Sequence, residues 1–171
     1  AIQIQWQFSR FGEQKGLALI ARGAYGDSMF HYPFFENRTA TSYKSLVLRA
    51  SGQDQGFSRI RDNLITTLFE EGNTGLTPAR AVVVQAHKQV VVLLNGRYWG
   101  VYDFMEKITE HFVADRFHLA NPKSVDLLFG NGNQFCVLAG NGWEDYTEMV
   151  EWAGSHDLSD PANYDYINTF M

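Results

Sequence analysis

A chain of 171 residues with 45% hydrophobic content, including 13 Phe, 8 Tyr and 4 Trp, carries enough apolar side chain to bury a core as one domain or two small lobes, which excludes a disordered segment. The formal net charge of −5 and pI near 5.5 leave no basic footprint for phosphate neutralisation, which argues against nucleic acid as a main partner. No apolar run reaches the length of a bilayer span, and a single cysteine, Cys136, excludes an internal disulfide or a two-cysteine metal site.

Ile2, Ile4, Trp6 and Phe8 alternate with glutamines, which predicts a half-buried strand over residues 2–8 with no visible signal peptide. Residues 9–16 read as a polar connector and 17–21 as the antiparallel return. After an irregular glycine-containing stretch, HYPFF at 31–35 is extended and pinned by Pro33. YKSLVLR at 43–49 is the next strand, with Leu46 and Leu48 on one face and Ser45, Val47 and Arg49 on the other. A helix is predicted over 56–71, stopped by Gly72. At helical spacing Phe57, Ile60, Leu64, Ile65 and Leu68 form an inward arc, with Arg61 in its middle and Asp62 at its edge. A guanidinium on a buried stripe must be paired, and a structural ion pair tying helix to sheet is the plainest reading of Arg61.

Residues 81–86 (AVVVQA) are predicted as a β-branched strand, linked by residues 87–89 to the segment VVVLLNGRYWGVYDFMEKI at 90–108. Asn95-Gly96 fits a two-residue type I′ turn, so this segment is a hairpin. On its second strand Tyr98, Gly100, Tyr102 and Phe104 share one face. Trp99, Val101, Asp103 and Met105 share the other, so Asp103 sits among large apolar side chains. Glu106-Lys107 reads as a charged connector to a helix over 108–117, with Ile108, Phe112 and either Ala114 or Phe117 inward. A strand over 124–129 follows. Two Gly-Asn-Gly runs, at 130–132 and 140–142, bracket a strand over 134–139 and read as turns, since neither precedes Lys-Ser/Thr. A helix over 143–153 has Tyr146, Met149, Val150 and Ala153 on one face. Asp160 then caps a last helix with Pro161 in its first position, and Met171 leaves that helix without a stop signal, as if cut in mid-element.

The chemistry is not carried by a motif. The five histidines have no metal-binding spacing, there is no G-x-S-x-G or Walker A pattern, and Cys136 in a strand reads as a small buried hydrophobe. The four tryptophans, Trp6, Trp99, Trp143 and Trp152, mostly lie at core-facing spacing. The order of elements is more informative: strand pair, strand ending in Arg49, helix with Arg61-Asp62, strand, hairpin, charged connector, helix. This is an α+β order, that of a protein-kinase-like small lobe (antiparallel sheet plus one helix) followed by the start of a helical large lobe. In such a lobe a strand cation pairs with a helix carboxylate and positions nucleotide phosphates. Either Arg49 or Lys44 supplies the cation here and Asp62 the acid, with Met105-Glu106-Lys107 as the connector whose backbone meets adenine.

The segments YPFF, SYKSLVLRASGQD, IRDNLITTLF and VVVLLNGRYWGVYDFMEKI resemble the spore-coat protein H (CotH) kinase-like family over about residues 23–166, most strongly between 43 and 108. The resemblance implies an atypical protein kinase fold that binds ATP with Mg2+ and phosphorylates Ser or Thr of partner proteins, in spore coats or in secreted proteins. It makes residues 1–105 a small lobe and 106–171 the hinge and the beginning of a large lobe. Carried over by position, the resemblance gives Arg49, Arg61, Asp62 and Glu106 as nucleotide-binding candidates, and the kinase-like element order adds Lys44 as a weaker one. The family's catalytic and metal-binding aspartates, in segments like N-x-D-W and D-x-D-W, have no counterpart in this sequence, so no catalytic or metal residue is assigned and the chain by itself is expected to be inactive. The alternative is a non-catalytic extracellular module that recognises carbohydrate or protein through its aromatic residues.

Overall fold

The computed structural model describes residues 1–5, 10–76, 81–131 and 134–169, without the side chains of residues 53, 131, 134 and 135. The predicted strand positions Trp6 and Phe8, Gly132 of the first Gly-Asn-Gly run, and Met171 lie outside the described residues. The chain forms two compact units, Ala1–Ile108 and Thr109–Met171.

In the first unit, β1 (Ile2–Ile4) and β2 (Leu17–Ile20) are followed by a small ribbon, β3 (Phe30–His31) with β4 (Ser42–Tyr43). Then come β5 (Ser45–Arg49), α1 (Arg61–Gly72) and the hairpin β6 (His87–Leu94) and β7 (Arg97–Glu106). The main sheet is antiparallel in the order β1-β2-β5-β7-β6, which places β5 at its centre. One register line runs Ala18, Val47, Met105, His87. The neighbouring line Leu17, Leu48, Phe104, Lys88 faces the other way. On the Leu46 and Leu48 face, Phe35, Tyr43, Ala50, Ala86, Tyr102 and Phe104 complete the core. The rings of Phe34 and Phe35 lie 5.2 and 5.6 Å from that of Phe104, so the YPFF segment packs through its aromatics. Val47, on the opposite face, is buried too, because a central strand is covered on both sides.

The Asn95-Gly96 turn forms as its sequence dictates, with φ of 50° and 77°. The predicted alternation of β7 fails at its start. Val92 pairs with Gly100 but Leu93 pairs with Tyr98, so Trp99 is the extra residue of a bulge. The bulge moves Tyr98 off the face of Tyr102 and Phe104, leaving it 67% exposed. Glu106 is the buried last residue of β7 and not part of a solvated connector.

Other expectations differ from the structure. The helix begins at Arg61 and not at 56, because Arg59 adopts a left-handed φ of 64° that no helix continues through. It also runs through Gly72, and the glycine with positive φ is Gly75, at 81°. The arc of Phe57, Ile60, Leu64, Ile65 and Leu68 faces outward, half-exposed or more, and α1 has no buried residue. Its polar residues meet the sheet instead. Residues 81–86 form no strand, because side chains take their backbone groups: Asn73 bonds both the N–H and C=O of Val82, Arg38 bonds the Val84 carbonyl, and Glu106 accepts from the Ala86 amide. Residues 87–89 belong to β6.

The second unit holds α2 (Glu110–Arg116), the hairpin β8 (Leu127–Asn131) and β9 (Gln134–Ala139), α3 (Trp143–Ser155) and α4 (Pro161–Asn168). Thr109 caps α2 through the Phe112 amide, and Ala114 is its buried residue, while Ile108 and Phe117 are exposed. The predicted strand at 124 starts at Leu127, after a 3-10 turn over Pro122–Ser124. The second Gly-Asn-Gly run is a turn held by Asp126, which accepts from the Asn141 amide at 2.6 Å, and Gly140 at φ 71° leaves no room for a Cβ beside it. Asp160 caps α4 by accepting from the Ala162 amide, with Pro161 leading, as predicted. Cys136 is exposed on β9, and Trp99 and Trp143 are exposed as well, contrary to their expected core positions. No described helix is long and apolar enough to cross a membrane.

Candidate functional site

The site lies on the face of the sheet that α1 covers. β5 ends at Arg49, which pairs across to Asp103 on β7, and Asp103 pairs across to Gln89 on β6. The α1 helix lays a polar stripe over this row. Asp62 makes an ion pair with the Arg49 guanidinium, and Asn63 Nδ2 donates to Asp103 Oδ1 at 2.6 Å. One turn on, Thr67 Oγ1 lies 3.4 Å from His87 Nε2. The chain leaving β5 turns sharply through Ser51 and Gly52, both left-handed, at φ 58° and 53°. A Cβ at Gly52 would lie 2.8 Å from Arg49 Nη2, so glycine there lets the backbone pass against the guanidinium.

The electrostatics follow from burial. Asp103 is only 4% exposed. Burial pushes its carboxyl up from the ordinary aspartate range, against the Asn63 hydrogen bond and the charges of His87 and Arg49. Asp54 goes the other way: hydrogen bonds from Ser58 and the Arg61 amide, with the Arg61 guanidinium, outweigh its burial and hold its carboxyl low. Arg49 is a quarter open, with 28% of its side chain exposed beside Asp62, so an anion can reach it from solvent.

Of the predicted site residues, Arg49 and Asp62 come together. Arg61 turns away, its Nε 3.1 Å from Asp54 and its Cζ over the Phe57 ring. Lys44 precedes β5, at the end opposite Arg49, and donates to the Ser28 carbonyl at 3.1 Å. Glu106 closes β7, where its Oε2 accepts from the Ala86 amide at 2.7 Å and lies 3.5 Å from Arg38 Nε. Asn63, His87, Asp103 and Arg38 were not among the predicted site residues. An acid at an inward position of an apolar strand was a signal for Asp103. Nothing local marked Arg38, in a polar loop.

Beside this row a cavity of about 500 Å3 is lined by Glu13, Gln14, Gln55, Gly56, Arg59 and Trp99. Arg59 Nη1 donates to Gln14 Oε1 at 3.1 Å, and Gln14 Nε2 to the Val101 carbonyl at 2.6 Å. Among the described residues no three His, Cys, Asp or Glu side chains converge as metal ligands. The carboxylates present, Asp62 and Asp103, are engaged by Arg49 and Asn63. The row therefore suits an anionic ligand at Arg49 and does not suit a metal ion.

A family model described as CotH kinase protein matches residues 2–171. No curated protein and no solved structure matches the chain.

Proposed function

The chain belongs to the CotH kinase protein family, which supports a kinase-like function in general, and on that premise we propose that it forms the nucleotide side of an atypical protein kinase that binds ATP. The carrying observation is the Arg49–Asp62 pair, a partly open guanidinium at the end of the central strand, oriented by an acid of the adjoining helix. Kinase small lobes use a strand cation and a helix carboxylate in this relation to hold the phosphates. Arg49 supplies a planar, permanently charged donor to the phosphate oxygens. Asp62 fixes its direction and keeps the site from binding any anion indiscriminately. The sheet order and the strand leading out through Glu106 support residues 1–105 as the small lobe and 106–171 as the connector and start of the large lobe. Lys44 and Arg61 have no place in this reading, and neither does the backbone of Glu106, whose amide donates to the Ala86 carbonyl at 3.1 Å and whose carbonyl accepts from Gln85 Nε2.

In the complete protein the γ-phosphoryl group of ATP passes to a Ser or Thr hydroxyl of a coat or secreted partner protein. The bond to ADP breaks, the bond to the hydroxyl oxygen forms, and the hydroxyl proton is released to solvent. Mg2+ would supply charge neutralisation of the phosphates, but among the described residues no set of side chains converges to hold it. Complete protein given labelled ATP, a divalent metal and a Ser-rich partner should incorporate phosphate, and Arg49→Ala should lower the rate about a hundredfold, as for loss of one charge-stabilising donor. Incorporation that is equal in the variant would remove Arg49 from the reaction.

A second reading rests on the cavity, where Trp99 is 45% exposed beside Glu13, Gln14 and Arg59. A half-open indole among hydrogen-bonding side chains suits a sugar ring in a non-catalytic module. Retardation of the chain in a polysaccharide gel, lost in Trp99→Ala, together with no response to ATP, would favour it.

A further inference from the structure

The helix carrying Asp62 is not held by burial. No residue of α1 is buried, and its apolar side chains face outward. What fixes it is polar contact along one stripe, Asp62, Asn63, Thr67 and Glu70, with an ion pair near each end. The distal pair is the better built. The Arg38 side chain is 9% exposed and all three of its nitrogens are engaged. Nη1 meets Glu70 and the Asn37 carbonyl, Nη2 donates to the Val84 carbonyl at 3.2 Å, and Nε lies 3.5 Å from Glu106 Oε2. Asn37 Nδ2 adds bonds of 3.0 and 2.9 Å to the two Glu70 oxygens. Glu106 is locked in turn, because its amide donates to the Ala86 carbonyl at 3.1 Å and its Oε2 accepts from the Ala86 amide.

We infer that Arg38 is a positioning residue for the phosphate site: it clamps the far end of α1 to the last residue of β7 and, through the helix, sets where Asp62 meets Arg49. Asp62 and Glu70 are eight residues apart, about 12 Å along a rigid rod of backbone hydrogen bonds. With no buried side chain to hold the middle, releasing one end lets the rod tilt about the other. The clamp ties α1 to the strand that leads out of the unit, so a shift of that strand end is passed to the guanidinium on β5. This inference deepens the nucleotide reading above and rests on it for the ligand.

The test is a four-protein cycle on the complete protein: unsubstituted, Asp62→Asn, Glu70→Gln, and both together. Dissociation constants for ATP come from calorimetry and unfolding midpoints from urea titration. Asp62→Asn should weaken ATP binding about tenfold, the worth of one charge-assisted hydrogen bond. Glu70→Gln, which touches no nucleotide, should weaken it about fivefold alone and add nothing to Asp62→Asn, because it acts through that residue. Arg38→Lys, which keeps the charge and loses the fork, should match Glu70→Gln. Effects that multiply in the double variant would overturn the inference, as would unchanged ATP affinity in Glu70→Gln. If the unsubstituted protein binds no ATP, the nucleotide reading fails, and the urea cycle still decides the clamp. Losses of stability at Asp62 and Glu70 that are smaller together than their sum support a shared lever, and additive losses overturn it.

Discussion

At the scale of single residues, Asp103 and Gly52 carry the sharpest consequences. The folded-state pKa of Asp103 is raised by burial, so the folded protein prefers its neutral form. That preference contributes fully below the unfolded value of about 4 and is lost as pH rises through the folded value. Asp103→Asn keeps an oxygen for the Asn63 donor and removes the charge. Its urea midpoint relative to the unsubstituted protein should therefore rise between pH 4 and pH 8, and a pH-independent difference would contradict this. Asp54 has the opposite sign: its lowered pKa gives stability present above about 4 and lost as pH falls through the folded value. Gly52→Ala puts a Cβ at a φ of 53° and 2.8 Å from Arg49 Nη2. It should cost about 1 kcal/mol in chemical denaturation and weaken ATP binding by displacing the guanidinium. The sequence made Arg49 and Asp62 legible, through a strand ending in a cation and a following helix that carries an acid. Arg38 was not legible, because its two acids lie 32 and 68 residues away in the chain.

At the scale of elements, periodicity reported an amphipathic helix correctly and its inward side wrongly. The polar stripe at 62, 63, 67 and 70 finds Arg49, Asp103, His87 and Arg38 waiting on the sheet and in the loop before it. Specific polar partners decided which side meets the sheet. Leu64→Ser and Leu68→Ser should each cost less than about 1 kcal/mol, as for surface changes, while Leu46→Ala in the core should cost about 2–5 kcal/mol. Equal losses in thermal or urea unfolding would show that the outer face of α1 is packed. The hairpin was readable because Asn-Gly specifies two left-handed residues in a row. The bulge at Trp99 was not, since a one-residue insertion in a ladder leaves no local mark beyond Gly100, at φ 143°. Residues 81–86 misled through their β-branched composition, which says that a segment suits a sheet and not that a strand edge is open to receive it.

At the scale of the whole molecule, the sheet order β1-β2-β5-β7-β6 puts the strand that ends in Arg49 at the centre, between the return of the first hairpin and the strand that leads out of the unit. Family membership over residues 2–171 was legible in four short segments, chiefly NGRYWGVY with its downstream Glu-Lys. The last of those segments maps onto the turn, the bulged strand and its buried terminal acid, which are parts whose backbone geometry tolerates few residues. The central claim is that the guanidinium at the end of β5 receives nucleotide phosphates. Calorimetric titration of ATP into the complete protein and its Arg49→Gln variant, at matched salt, tests it most directly. A loss of at least about tenfold in affinity, measured where urea titration shows both proteins fully folded, is the predicted result, following from removal of one charge-assisted contact. Equal affinity in the two proteins would contradict the account.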